Sequence, residues 1–169
     1  RDARILPIYE GTTGIQALDL IGRKTLFDKG AALQQLQADI QATAELLSNS
    51  ENEKLRQLGV QLDSALLISS KASQWILANT ATDKQLMGNV SFDNLMMMGY
   101  LTGGWLLAQS ALKAVELQAE DNNYGDDFLN AKLGTALFYA QHYLPRISQH
   151  AETICSGLDQ TFALDIEQL

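Results

Sequence analysis

The sequence predicts an all-α antiparallel helical bundle. Three observations lead there. Nearly every long segment repeats its apolar residues at spacings of three, four and seven, which puts them on one helix face. No stretch sustains the period-two alternation of a half-buried strand. Only two of the 169 residues are proline and 46% are hydrophobic, so long helices are permitted and apolar side chains suffice for a sizeable core.

The elements follow in chain order. An extended lead-in, Ile5-Leu6-Pro7-Ile8-Tyr9, runs into Glu10 and Gly11, and Thr12 or Thr13 is placed to cap a helix beginning near Gly14. Leu33, Leu36, Ile40 and Leu47 share a face of a helix over 31–48. Ser50 and Glu53 have the spacing of a capping box for the next helix. Its inner face reads Leu55, Leu58, Leu62, Ala65, Ser69, Ala72 and Ile76, ending near Asn79. Asp83 and Gly88 punctuate the polar stretch that follows. Ser91 is then expected to cap a third long helix running to about Glu120.

The apolar positions of that third helix go nearly all round, so residues 93–119 belong at the centre of the bundle. Gly99 and Gly103, one turn apart, and Gly104 are expected to admit a neighbouring backbone, with Trp105 and Leu106 filling the adjacent layer. Trp75 reads as a second core anchor, and Met96, Met97 and Met98 as gap fillers. A loop over 121–125 leads to Asp126, the expected cap of a fourth helix with Leu129, Leu133, Ala136, Ala140 and Tyr143 inward. Pro145 must break or kink that helix. Ile147, Ala151, Ile154 and Leu158 continue the period beyond it, and Gly157 is the stop signal. Residues 94–112 carry no charge, which is long enough to raise a membrane span. Asn94, Thr102, Gln109, Ser110 and three glycines interrupt the run, and a buried bundle helix is the better reading.

The net charge is −8, unevenly spread. Residues 1–30 carry a net +1 and the rest −9. An acidic body repels phosphate backbones, which disfavours nucleic acid as a partner. The lone cysteine, Cys155, has no internal partner and no metal-ligand spacing around it. It is expected to be a buried, inert thiol in a reducing, cytoplasmic setting. His142 and His150 straddle Pro145 at a spacing poor for zinc, and read as surface or capping residues. Asp121, Asp126 and Asp127 lack the ligand order of a calcium loop and read as solvated.

Chemistry concentrates in RDARILPIYEGTTGIQALDLIGRK, the first 24 residues. A helix N-terminus, with its free N–H groups, suits a phosphate or another anion, and a carboxylate just before it is placed to be held at the mouth of a site. By spacing alone Glu10 is more simply a solvated surface residue. The wording of the segment is more specific. Tyr9-Glu10-Gly11-Thr12, then Ile15-Gln16 and Arg23, led by Arg1-Asp2-Ala3-Arg4-Ile5, resembles the FAD-dependent acyl-CoA dehydrogenase family. The resemblance implies that Glu10 is the base that removes the α-proton of an acyl-CoA thioester. It places Gly11 beside that thioester, and Thr12, Thr13, Gly14 and Gln16 where the family contacts FAD. Softer likeness in Gly99-Tyr100-Leu101-Thr102-Gly103-Gly104-Trp105 and Lys132-Leu133-Gly134-Thr135-Ala136-Leu137-Phe138-Tyr139 implies the larger family type with an extra C-terminal helical domain.

The expected organisation is therefore 1–30 as the end of the dehydrogenase helical domain and 31–169 as the added bundle. Most flavin and CoA contacts would lie upstream, so this stretch alone is expected to be inactive. The family further implies an electron-transfer flavoprotein or similar acceptor, and homo-oligomers. The rival reading is a helical oligomerisation module with no catalytic role. A flavoprotein relative associated with DNA is a third, against which the acidic body argues.

Overall fold

The computed structural model describes residues 12–80, 84–120 and 123–157, and among them every regular element is helical. Helix α1 spans Thr13–Asp19 and continues directly into a π-helical segment, Leu20–Leu26. Helices α2 (Ala31–Ser48), α3 (Glu53–Asn79), α4 (Lys84–Gln118), α5 (Asp126–His142) and α6 (Arg146–Cys155) follow. Helix α4 packs against every other element, and α2 against α3 forms an antiparallel hairpin. The all-α bundle read from periodicity is the observed fold, with the helix that carries the uncharged run 94–112 at its centre.

Inward faces agree closely with the pattern. Ile40, Leu47, Leu55, Leu58, Leu62, Ile76, Met97, Leu101, Ile147 and Ile154 are fully buried in one core. At about 1.5–3 kcal/mol for each large aliphatic side chain, that core is the main force holding the helices together. Leu33, Leu36 and Tyr143 are only half-buried, at the margins of it. Leu158 lies outside the described residues.

Helix starts differ from expectation in three places. The cap of α3 is Asn52, not Ser50: Asn52 Oδ1 accepts from the Lys54 N–H at 3.0 Å. Ser50 Oγ instead accepts from the Asn52 N–H at 3.2 Å, and Arg56 donates to the Ser50 and Glu51 carbonyls at 2.9 and 2.7 Å. Ser91 caps nothing. It lies well inside α4, and its hydroxyl donates back to the Gly88 carbonyl at 2.9 Å. The helix runs through Gly88 because Leu86 and Val90 carry the inward stripe across it, while Gly88 itself faces open space. At α5 the cap position is Gly125, whose φ of 74° makes the turn that Asp126 was expected to make. Asp126 and Asp127 fall in the first turn, where the helix dipole favours carboxylates.

Helix ends agree better. Pro145 does end α5 at His142 and opens α6 at the cap position with φ −60°. Gly157, at φ +70°, closes α6. The expected backbone approaches are not what these glycines meet: side chains stand nearest Gly103 and Gly104. A methyl on Gly103 would sit 2.6 Å from the Tyr139 hydroxyl oxygen, and one on Gly104 would sit 2.5 Å from Leu144 Cδ2. Gly99 meets nothing within 4 Å and is exposed, because one turn earlier its side of α4 has no neighbour. Leu106 is likewise 57% exposed rather than a filler.

Candidate functional site

Of the residues expected to form the site, Glu10 and Gly11 lie outside the described residues. Thr12, Thr13, Gly14 and Gln16 are brought together on the first turn of α1. The Gln16 N–H donates to the Thr12 carbonyl at 2.9 Å. Thr12 holds the N-cap position without a side-chain cap bond, so its hydroxyl is not committed to the helix start. Both threonines are half-buried, and Gly14 and Gln16 are exposed. The turn is seated by Ala17 and Ile21, both fully buried, with α1 and the π segment packed on α4. Its outer side carries Ile15, which is 67% exposed. The apolar residues therefore divide between a face seated on the bundle and a face turned away from it.

The π segment was not legible in the sequence. It widens the helix just after the motif, a feature found often near functional sites. Thr25 stabilises it by donating its hydroxyl proton five residues back to the Leu20 carbonyl, at 2.8 Å. On its surface Arg23 clasps Asp19 through two hydrogen bonds of 2.6 and 3.1 Å. That hydrogen bond holds the Asp19 carboxyl below its ordinary value. Arg23 thus serves a local ion pair one turn back. The segment closes on Lys29 and Gly30, both at positive φ, with Asp28 accepting from the Gly30 and Ala32 N–H groups at 3.0 and 2.9 Å.

Elsewhere the structure assigns partners that sequence reasoning missed. Trp105 is half-buried, and its indole N–H donates to the Thr43 hydroxyl at 2.8 Å, tying α4 to α2. His150 is neither a surface nor a capping residue. Its Nδ1 lies 2.7 Å from Asp93, joining α6 to α4. The Tyr100 ring stacks on it at 5.7 Å. Residues 57 apart in sequence carry no local signal of such a pair. Tyr139 stacks on Tyr143 at 4.9 Å, and burial pushes its phenol up. Cys155 is exposed rather than buried, because it closes α6 on the side away from Ile154. Local desolvation still raises its thiol, which leaves it poorly nucleophilic at neutral pH. Among the described residues no cluster of His, Cys, Asp and Glu is built to hold a metal, and no helix is long and apolar enough to cross a membrane.

The described residues thus form an all-helical bundle with α1 and the π segment packed on its central helix α4. The acetyl-CoA dehydrogenase C-terminal-like family matches residues 34–165, and the chain belongs to it. It is therefore a C-terminal part of the acyl-CoA dehydrogenase family. The chain is 40% identical over 159 residues to 3-methylmercaptopropionyl-CoA dehydrogenase of Ruegeria pomeroyi, an alignment covering 93% of this chain and 26% of that protein. It is 42% identical over 66 residues to the broad-specificity linear acyl-CoA dehydrogenase FadE5 of Mycobacterium tuberculosis, covering 39% of this chain and 10% of that one. The chain thus spans about a quarter or less of the length of these relatives.

Proposed function

We propose that this chain is the C-terminal region of a flavin-dependent acyl-CoA dehydrogenase, and that it completes the active site with Glu10. The observation that carries the reading is the motif Tyr9-Glu10-Gly11-Thr12 on a chain whose bundle belongs to the matching family. In this reading residues 1–30 end the catalytic helical domain and residues 31–169 are the added bundle.

The donor set suits a flavin edge. Two threonine hydroxyls, a glutamine amide and the N–H groups of a first helical turn are neutral donors on one short stretch. Thr12, Thr13, Gly14 and Gln16 would hold FAD there, and FAD when bound supplies the acceptor for a hydride from the substrate β-carbon. Glu10 takes the α-proton as that hydride leaves, so a saturated acyl thioester becomes a trans-2-enoyl thioester. A thioester α-proton is weakly acidic, so the carboxylate must be held in contact and poorly hydrated, which raises its proton affinity. Gly11, without a side chain, leaves room for the thioester beside it. The exposed Ile15 fits a turn that is one wall of a pocket whose other walls belong to the longer protein. An electron-transfer flavoprotein or a similar acceptor would reoxidise the flavin.

The test uses the full-length dehydrogenase. Glu10→Gln should keep its flavin band and lose about 10²–10⁴-fold of turnover, the usual cost of removing a general base. Flavin reduction by acyl-CoA at near wild-type rate in that variant removes Glu10 from the mechanism.

A further inference from the structure

A cavity of about 160 Å³ lies where the π segment, α2 and α4 meet. The π segment contributes Lys24 and Thr25 to its lining, α2 contributes Leu33 and Leu36, and α4 contributes Asn94 and Met98. Leu33 and Leu36 lie on the inward stripe of α2 yet are only half-buried, because they face this space. The turn on Lys29 and Gly30 brings α2 back beside the π segment, and Thr25 holds the wider turn through its bond to the Leu20 carbonyl. One water takes a share of about 30 Å³, so the space exceeds a single water several-fold. It is smaller than the roughly 300–1,000 Å³ of common ligand pockets, which limits an occupant to a short molecule.

Two polar groups set the chemistry of the cavity. Asn94 is 4% exposed, yet its carboxamide hydrogen-bonds to none of the described residues. A buried amide without a partner is costly, and folded chains keep few of them. The Ser73 hydroxyl is also unpaired, but it is sealed in the core. Asn94 instead lines a space large enough to hold a partner. The second group is Lys24, which is exposed and stands at the rim. Among the described residues it forms no salt bridge. The carboxylates around it are committed elsewhere. Asp19 is clasped by Arg23, and Asp28 accepts from the Gly30 and Ala32 N–H groups. Between the buried amide and the cation the walls are apolar: Leu33, Leu36 and Met98.

We propose that this cavity binds a short linear carboxylate that carries a ketone toward its far end. The carboxylate pairs with Lys24 at the rim, the methylenes lie on Leu33, Leu36 and Met98, and the ketone oxygen accepts from the Asn94 amide. A ketone only accepts, so the Asn94 N–H satisfies it. A hydroxyl in the same place would bring a donor of its own and need a second partner. Apolar walls with a few placed polar groups are the usual make-up of a small-molecule site. The ligand would tie the π segment to both α2 and α4, the two helices that flank it.

Levulinate is the probe, titrated into the 169-residue chain and followed by heteronuclear NMR. It should shift the Asn94 side-chain amide and the methyls of Leu33, Leu36 and Met98, with a Kd of about 1 mM, a fair value for so small a ligand. Pentanoate lacks the ketone and methyl propyl ketone lacks the charge; each should bind about tenfold more weakly or worse. Asn94→Leu fills the same place with apolar atoms and leaves no unpaired amide. That variant should keep its helical circular dichroism and bind levulinate no better than pentanoate. Lys24→Gln, at an exposed position, should weaken levulinate about tenfold and leave methyl propyl ketone unchanged. A spectrum unmoved by levulinate up to about 20 mM overturns the proposal and leaves the cavity to water. Equal binding of levulinate and pentanoate by the wild-type chain overturns it as well, and so do shifts confined to residues away from the cavity.

Discussion

At Gly59 of α3 the α2 backbone stands close by. A Cβ there would lie 2.5 Å from Ser48 Oγ, 2.7 Å from the Ser48 backbone nitrogen and 2.9 Å from the Ala44 carbonyl oxygen. Two of those three atoms are backbone and cannot step aside. In an open helix, alanine would be favoured over glycine by about 1 kcal/mol. At this crossing the overpacking term of about 1–3 kcal/mol opposes it and should win. Gly59→Ala is therefore expected to lower the urea midpoint with no change in slope, and an unchanged or raised midpoint would show that the hairpin can open at no cost. Gly99 makes the contrast. It has the same residue type and the more suggestive spacing, yet faces open space. A glycine's meaning lies in what stands opposite it, and that partner is remote in sequence.

At the scale of elements, α4 and α6 are joined by Asp93 and His150, beside the Tyr100 ring. Both side chains are largely shielded, at 16% and 20% exposure, so the bond is worth more than an open surface pair. A double-mutant cycle with Asp93→Asn and His150→Gln at neutral pH should return a coupling of about 0.5–1.5 kcal/mol. Additive losses, within about 0.3 kcal/mol, would mean that the two groups do not act together. The π segment belongs to the same scale. The apolar spacing of Ala17, Ile21 and Thr25 is consistent with an ordinary helix, so nothing in it announced the wider turn. The hydroxyl bond from Thr25 to Leu20 and the turn on Lys29 and Gly30 stabilise it only once Ile21 is seated against α4.

For the whole molecule, we propose that residues 31–169 fold as a unit on which the motif segment is seated. A chain beginning at Ala31 should still unfold in one cooperative urea transition. It should be less stable than the full chain, because Ala17 and Ile21 no longer cover α4. A broad, non-cooperative transition would place residues 12–30 inside the folding unit. Trp105→Ala in the full chain should cost about 2 kcal/mol. That is less than the roughly 3–5 kcal/mol of a fully buried aromatic, because Trp105 is half-buried and part of its worth is the bond to Thr43. A loss under about 0.5 kcal/mol would rank it with ordinary surface positions.

The sequence by itself determined the helical class, the inner faces of α2, α3, α5 and α6, the central place of α4 and the break at Pro145. These follow from periodicity and from proline's missing N–H, both local properties of the chain. It also carried the family resemblance, through one contiguous motif. The cap of α3 was missed through a local contact, the Lys54 N–H on Asn52, and other features were decided by tertiary structure alone. Tertiary structure decided that His150 belongs to Asp93, that Trp105 belongs to Thr43, and that Gly59 rather than Gly99 marks a helix crossing. Each of these is a contact between residues distant in sequence. Such contacts depend on the rotation and offset of packed helices, which the spacing of apolar residues constrains only to a face.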